Sequence, residues 1–319
     1  MSSSDTRGIE RSAGVAQGTG RSFGTFGELL QGTVHSGQHF MVTCPVAAWS
    51  TATFRHAPDA TSVDVHPAHK WKAARLAMSA LRLAGVGGGG HLTLHSELPE
   101  GKGLASSSAD LVATARAVAA AVGTRFRAED IESLMREIEP SDGVMYDEIV
   151  DFDHRNVRVR ERLGALPSMI IVAHDEGGQV DTVRYNGAAR AHTDEERREY
   201  ARLRTALGTA VRAGDLAEVG RVATRSAELN ARQNPRRFLA QLRRLCGEIG
   251  ALGVVCAHSG TVLGILIDHA DPAAAAKTEA ALAGCAALPG TTAVYRSLGH
   301  EDDDWSRLGA LQPTHHRRM

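Results

Sequence analysis

The chain has 319 residues, with 36 Lys plus Arg against 37 Asp plus Glu and a formal net charge of -1. At roughly 150 residues per domain, that length suggests two domains or one two-lobed unit. Hydrophobic residues at 43% exclude wholesale disorder, and the charge balance offers nothing to a nucleic-acid partner. No apolar run reaches the roughly 18 residues of a spanning helix, so no membrane partner is expected. Residues 1–20 are polar and lack the apolar middle of a secretory signal. Cys44, Cys246, Cys256 and Cys285 form no CxxC pair, a usage that fits a reducing cytoplasm.

In chain order, residues 1–20 read as a flexible lead-in, with order expected from about Ser22. Short alternating runs over 47–66, broken at Ala57-Pro58-Asp59, predict a hairpin. Trp71, Ala74, Ala77, Met78 and Leu81 form a helical stripe over 68–84. His91 to His95 alternates as a strand. A Gly/Ser-rich loop, 99–108, opens an alanine-rich helix to about Val122, and another helix covers 128–138 and stops at Pro140. Residues 168–174 read as a buried strand, and 194–250 as three helices with breaks near Gly214 and Pro235. Two strands over 251–268, joined by His258-Ser259-Gly260, precede a helix at 272–286 and a strand at 291–297. From Gln312 the chain is polar. The order indicates an α+β fold with a mixed sheet.

The loop carries the sharpest chemical signal: Pro99-Glu100-Gly101-Lys102-Gly103-Leu104-Ala105-Ser106-Ser107-Ser108. Glycines let backbone approach an anion, free N–H groups converge, and a helix N-terminus adds partial positive charge. Read without other context, the same residues also suit a surface loop with a serine helix cap. Neither a Walker A loop nor a GxGxxG fingerprint fits.

The pattern P-x-G-x-G-L-x-S-S resembles the ATP-binding motif of the GHMP kinases, the superfamily of galactokinase, homoserine kinase and mevalonate kinase; Ser108 stands where most members have Ala. Gly24-Thr25-Phe26-Gly27-Glu28-Leu29-Leu30-Gln31-Gly32 resembles the first superfamily motif, a strand and Gly-Glu turn beside the substrate. Gly253-Val254-Val255-Cys256-Ala257-His258-Ser259-Gly260-Thr261-Val262 resembles the third, a strand turn against the phosphate loop. Together with Glu139-Pro140-Ser141-Asp142-Gly143-Val144-Met145 and Gly177-Gly178-Gln179-Val180-Asp181-Thr182, these segments look like the L-threonine kinase branch.

The resemblance implies two lobes, an ATP-binding domain at 21–165 and a C-terminal domain at 166–311, with a polar tail at 312–319 and the active site in the cleft between lobes. It implies ATP and Mg²⁺ as cofactors, with Pro99, Gly101, Lys102, Gly103, Leu104, Ala105, Ser106, Ser107 and Ser108 on the phosphates. Ser107 would hold Mg²⁺ with a glutamate: Glu139, or Glu132 or Glu137. Asp142 would orient or deprotonate the acceptor hydroxyl; without the resemblance, Pro-Ser-Asp-Gly reads as turn chemistry. Gly27, Glu28, Asp181, Thr182, Ser259 and Gly260 are the expected substrate contacts, with Ser226, Asn230 and Asn234 as further cleft candidates. The implied activity is phosphorylation of a free amino-acid hydroxyl, L-threonine first. Homoserine, a modified hydroxy-amino acid, a decarboxylase and a non-catalytic ATP sensor are the alternatives, and a homodimer is a candidate assembly. The histidine pairs His66/His69 and His91/His95 lack companion ligands for a metal site. The cluster Arg236, Arg237, Arg243 and Arg244 reads as a solvated helix face.

Overall fold

A computed structural model describes residues 16–34, 37–178, 192–302 and 305. Ten strands form one mixed sheet, and seven helices are present among the described residues. Two long antiparallel strands, β1 (Gln17–Thr33) and β2 (His39–Ala57), form its centre. β4 (Gly89–Ser96) pairs antiparallel with β2, and β3 (Val63–His66) lies outside β4, parallel to it. The expected 47–66 hairpin is therefore not formed. β4 takes the edge of β2 that β3 would have used, and the turn after Ala57 carries the chain past it.

On the other side of β1 lie β8 (Gly253–Cys256), β9 (Val262–Asp268), β7 (Met169–Asp175) and β10 (Thr291–Arg296), in that order. A hairpin of β5 (Ile149–Asp153) and β6 (Arg158–Gly164) pairs with β2 through β5. No strand was expected at either segment. β6 is charged along its length, which conceals the alternation. Its charges are held by Arg160–Asp153, Arg162–Glu148 and Arg212–Glu161 pairs, a charged edge strand.

The helices are α1 (Trp71–Leu83), α2 (Ser106–Ala121), α3 (Ala128–Arg136), α4 (Asp194–Ala213), α5 (Leu216–Ala231), α6 (Leu239–Glu248) and α7 (Ala274–Ala286). The three-helix block and its two breaks match the sequence reading. α4 starts at a reciprocal Thr193/Glu196 capping box, and Asp215 caps α5. α2 is apolar nearly all round and is correspondingly buried, packed across β1 and β2. Its alanines permit close approach to both strands. The buried side of α1 is Ala73, Leu76, Ala77, Ala80 and Leu81, whereas Trp71 is 58% exposed. The helical stripe thus begins after Trp71. β1 begins at Gln17, inside the stretch expected to be a lead-in.

Candidate active site

β4 delivers the chain into the Gly/Ser loop, and α2 leaves from it. Ala105 adopts a left-handed conformation at the N-cap, and no side chain caps the helix. The first-turn N–H groups of a 16-residue helix therefore meet no side-chain cap, where an anion is favoured. The serines do not act as a cap. They are left to face a cavity of about 250 Å³ that Gly101, Gly103 and Ser106 to Ser108 line on one side.

The loop is held from behind by backbone. The N–H of Thr25 donates to the Leu104 carbonyl at 3.3 Å, that of Gly27 to Gly103 at 3.1 Å, and that of Thr261 to Lys102 at 3.3 Å. Two glycines allow this stacking. Gly27 has φ +53°, and a Cβ there would lie 2.5 Å from the Cys256 carbonyl oxygen. A Cβ on Gly260 would lie 1.9 Å from the Lys102 carbonyl oxygen. The Arg236 guanidinium donates to the carbonyls of Ala257, His258 and Gly260 and fixes that turn. Gly27 and Gly260 thus support the loop rather than line the cavity, unlike their expected substrate contacts. Arg236 is a part of this scaffold, not of a solvated face. Lys102 is turned away from the cavity, with its ammonium 2.7 Å from Asp175 and 2.7 Å from the Gly178 carbonyl.

Across the cavity from the loop stands the turn after α3. The Ser108 hydroxyl donates to Asp142 Oδ2 at 3.1 Å and accepts from the Asp142 N–H at 3.0 Å. The one departure from the usual loop pattern is therefore the residue that ties α2 to this turn. Burial, then the Glu28 carboxylate and, more weakly, that of Glu139, pushes Asp142 up to about 7 against the Ser108 hydrogen bond. The Ser107 hydroxyl donates to Glu139 Oε1, and the Lys72 ammonium from α1 pairs with Glu139 Oε2. Of the three glutamates considered, only Glu139 lines this cavity. Glu132 is buried and accepts from the Tyr146 hydroxyl at 2.9 Å and the Val159 N–H at 2.6 Å, and Glu137 accepts from Ser79.

The third wall comes from β1 and the β8–β9 turn. Register shifts flank Glu28, which pairs with Thr43 of β2 on one side and with Cys256 of β8 on the other. Such bulges re-aim a side chain. Glu28 Oε2 accepts from the backbone N–H of His258 at 3.0 Å and lies 2.8 Å from its Nδ1. His258 Nε2 in turn lies 3.0 Å from the Ser226 hydroxyl, so Ser226 supports Glu28 from behind. Burial alone would lower the His258 imidazole, but Cys256 and the Glu28 carboxylate overcome it and raise it to about 10. Glu28 and His258 thus form a buried ion pair at neutral pH. Ser259, Gln31, Met41 and His154 complete the cavity. Gln31 and His154 were not named as site residues from the sequence: Gln31 lies within the first motif but beside its Gly-Glu turn, His154 lies in no quoted motif, and only the β5–β6 hairpin brings His154 here. Asp181 and Thr182 lie outside the described residues. Among the described residues, no group of three His, Cys, Asp or Glu could hold a metal unaided.

A second groove, about 340 Å³, continues over the outer side of the loop and shares Lys72, Gly101, Ser106 and Ser107 with the first. The exposed Trp71 ring lies along it.

Comparison with known proteins places two stretches of the chain. Residues 69–146 match the GHMP kinases N terminal domain, and residues 207–284 match the GHMP kinases C terminal domain. The chain is 28% identical over 253 residues to an L-threonine kinase of Citrobacter freundii, covering 76% of this chain and 84% of that protein. It is 26% identical over 253 residues to an L-threonine kinase of Salmonella typhimurium, covering 76% and 80%. A homoserine kinase structure from Cytophaga hutchinsonii superposes with a TM-score of 0.68 at 14% identity, covering 93% of this chain and 98% of that one.

Proposed function

The chain belongs to the GHMP kinases, and from that premise we propose that it transfers the γ-phosphoryl group of ATP to the side-chain hydroxyl of a free amino acid, L-threonine first. The observation that carries this reading is the Ser108–Asp142 link. It sets a carboxylate with a near-neutral pKa directly beside an uncapped helix N-terminus. Phosphoryl transfer needs little covalent chemistry from the protein. It needs positioned phosphates, neutralised charge and an oriented nucleophile.

In this reading the triphosphate lies along the loop, against the backbone N–H groups of Ser106 to Ser108. The nucleoside continues into the adjoining groove, where the exposed Trp71 ring offers a stacking face. The acceptor occupies the inner end, toward Glu28 and Ser259. Asp142 accepts the hydroxyl proton as the acceptor oxygen bonds to the γ-phosphorus and the bond to the β,γ-bridging oxygen breaks, releasing ADP.

The Ser107 hydroxyl and Glu139 carboxylate present adjacent hard oxygen donors, a set that fits Mg²⁺. When bound there, Mg²⁺ supplies charge neutralisation at the phosphate oxygens. The Lys72 ammonium pairs with the Glu139 carboxylate and adds a cation of its own beside the loop.

The test is product identification after incubation with Mg-ATP and one acceptor at a time: L-threonine, L-serine, L-homoserine or mevalonate. Mass spectrometry is expected to find a phosphate monoester chiefly from L-threonine. A monoester chiefly from another acceptor would move the substrate assignment, and no monoester from any would defeat the reading.

A further inference from the structure

The inner end of the cavity holds polar atoms that the protein itself leaves unmatched. Gln31 Oε1 is buried without a hydrogen-bond partner, and so is Nδ1 of His154. His154 is only 5% exposed, yet it lines the cavity together with Gln31 and Glu28. Buried polar atoms are ordinarily paired, and one left unpaired inside a cleft is costly until a ligand or water completes it.

Two elements converge to place these atoms. Gln31 lies on β1 just beyond the register shifts around Glu28, and its backbone N–H donates to Ser226 at 3.4 Å. His154 follows β5, and its carbonyl accepts the Ser141 N–H at 3.0 Å, which joins it to the Asp142 turn. Its ring meets His39 edge-on at 6.0 Å. Burial and His39 lower the His154 imidazole to about 4, so it is neutral at pH 7 and its ring can offer a lone pair. The inner end therefore presents an amide oxygen, a carboxylate and a neutral imidazole, each able to accept a hydrogen bond. Met41, opposite Gln31 in the β1–β2 register, adds an apolar wall.

We propose that Gln31 and His154, with Glu28, form a subsite that reads the α-ammonium group of the acceptor and so selects amino acids over plain hydroxy acids. An ammonium brings three N–H donors and a positive charge to three converging acceptors. A hydroxy acid of the same size brings neither and leaves the acceptors unmatched. Rejection of that kind is stronger than a hydrophobic pocket achieves. This inference rests on the proposed function for the position of the acceptor.

Calorimetric titration of the full chain tests it, with a non-hydrolysable ATP analogue and Mg²⁺ present. L-threonine is expected to bind about tenfold or more tightly than 3-hydroxybutyrate, which lacks the ammonium. Gln31→Leu should weaken L-threonine by about tenfold and leave 3-hydroxybutyrate unchanged, whereas Gln31→Glu should keep L-threonine within about threefold of the wild type. His154→Phe, read in the same way, stands in if Gln31→Leu fails to fold by circular dichroism. Equal affinity for the two ligands, binding of neither, or a folded Gln31→Leu with the preference intact would overturn the subsite. Gln31→Glu weakening L-threonine as much as Gln31→Leu would also overturn it, because it would put the acceptor's carboxylate there. ADP release is followed in parallel. Selective binding without ADP would defeat the kinase reading and leave the ammonium subsite standing.

Discussion

Asp142 is unusual in having two carboxylates, Glu28 and Glu139, on the same side of the balance as burial. All three disfavour its charge, and the Ser108 hydroxyl opposes them. The folded chain therefore holds the Asp142 proton at pH values where the unfolded chain has released it. The resulting stabilisation is fully present below the unfolded carboxylate value, about 4, and is lost as pH rises through about 7. Asp142→Asn is neutral throughout and escapes that loss. In the nucleotide-free protein, its melting temperature should exceed that of the wild type by roughly 3–8 °C at pH 8, and the gap should close toward pH 4. A gap that does not change with pH would show that Asp142 titrates in its ordinary range. The Glu28–His258 pair makes the opposite kind of demand. Glu28→Gln leaves a buried imidazole without its counter-charge, and should cost about 3–5 kcal/mol in denaturant unfolding.

Three elements meet at the phosphate loop: the bulged part of β1, the β8–β9 turn and the start of α2. Their contact is backbone against backbone, so it depends on what is absent from Gly27 and Gly260. Gly260→Ala should push the turn off Lys102 and loosen the loop. The expected result is about tenfold weaker binding of an ATP analogue with a lowered melting temperature; unchanged affinity would show that the loop keeps its shape without the turn. This contact was legible in the sequence only through the family pattern, since Gly260 alone reads as a hairpin turn. The loop, the helix it opens and the α4–α6 block were legible from local chemistry, because glycines, caps and apolar periodicity act over a few residues. What was not legible is set by non-local pairing. β3 joins β4 in parallel because β4 already holds the edge of β2. β6 hides under its charges. Gln31 and His154 lie 123 positions apart in the sequence, and only the sheet brings them to one cavity.

At the scale of the molecule, one continuous sheet carries both the helix that faces the phosphates and the turns that face the acceptor. Ligand binding should therefore register in the stability of the whole chain. At a nucleotide concentration 100 times its Kd, the gain is about 2.7 kcal/mol. The share of that gain that requires Mg²⁺ should shrink in Glu139→Gln and remain in Glu137→Gln, because Glu139 faces the cavity and Glu137 pairs with Ser79. Thermal melts with ATP, with and without Mg²⁺, measure this directly. An equal loss in both variants would contradict the assignment of Glu139.

The most direct test of the account is the rate of L-threonine-dependent ADP formation from Mg-ATP, in the wild type and in Asp142→Asn. The account predicts steady turnover by the wild type and a fall of about 10²–10⁴ in kcat for the variant, with nucleotide binding retained. Wild-type turnover that the variant reproduces would remove Asp142 from the chemistry, and ADP formation indifferent to any alcohol acceptor would contradict the kinase itself.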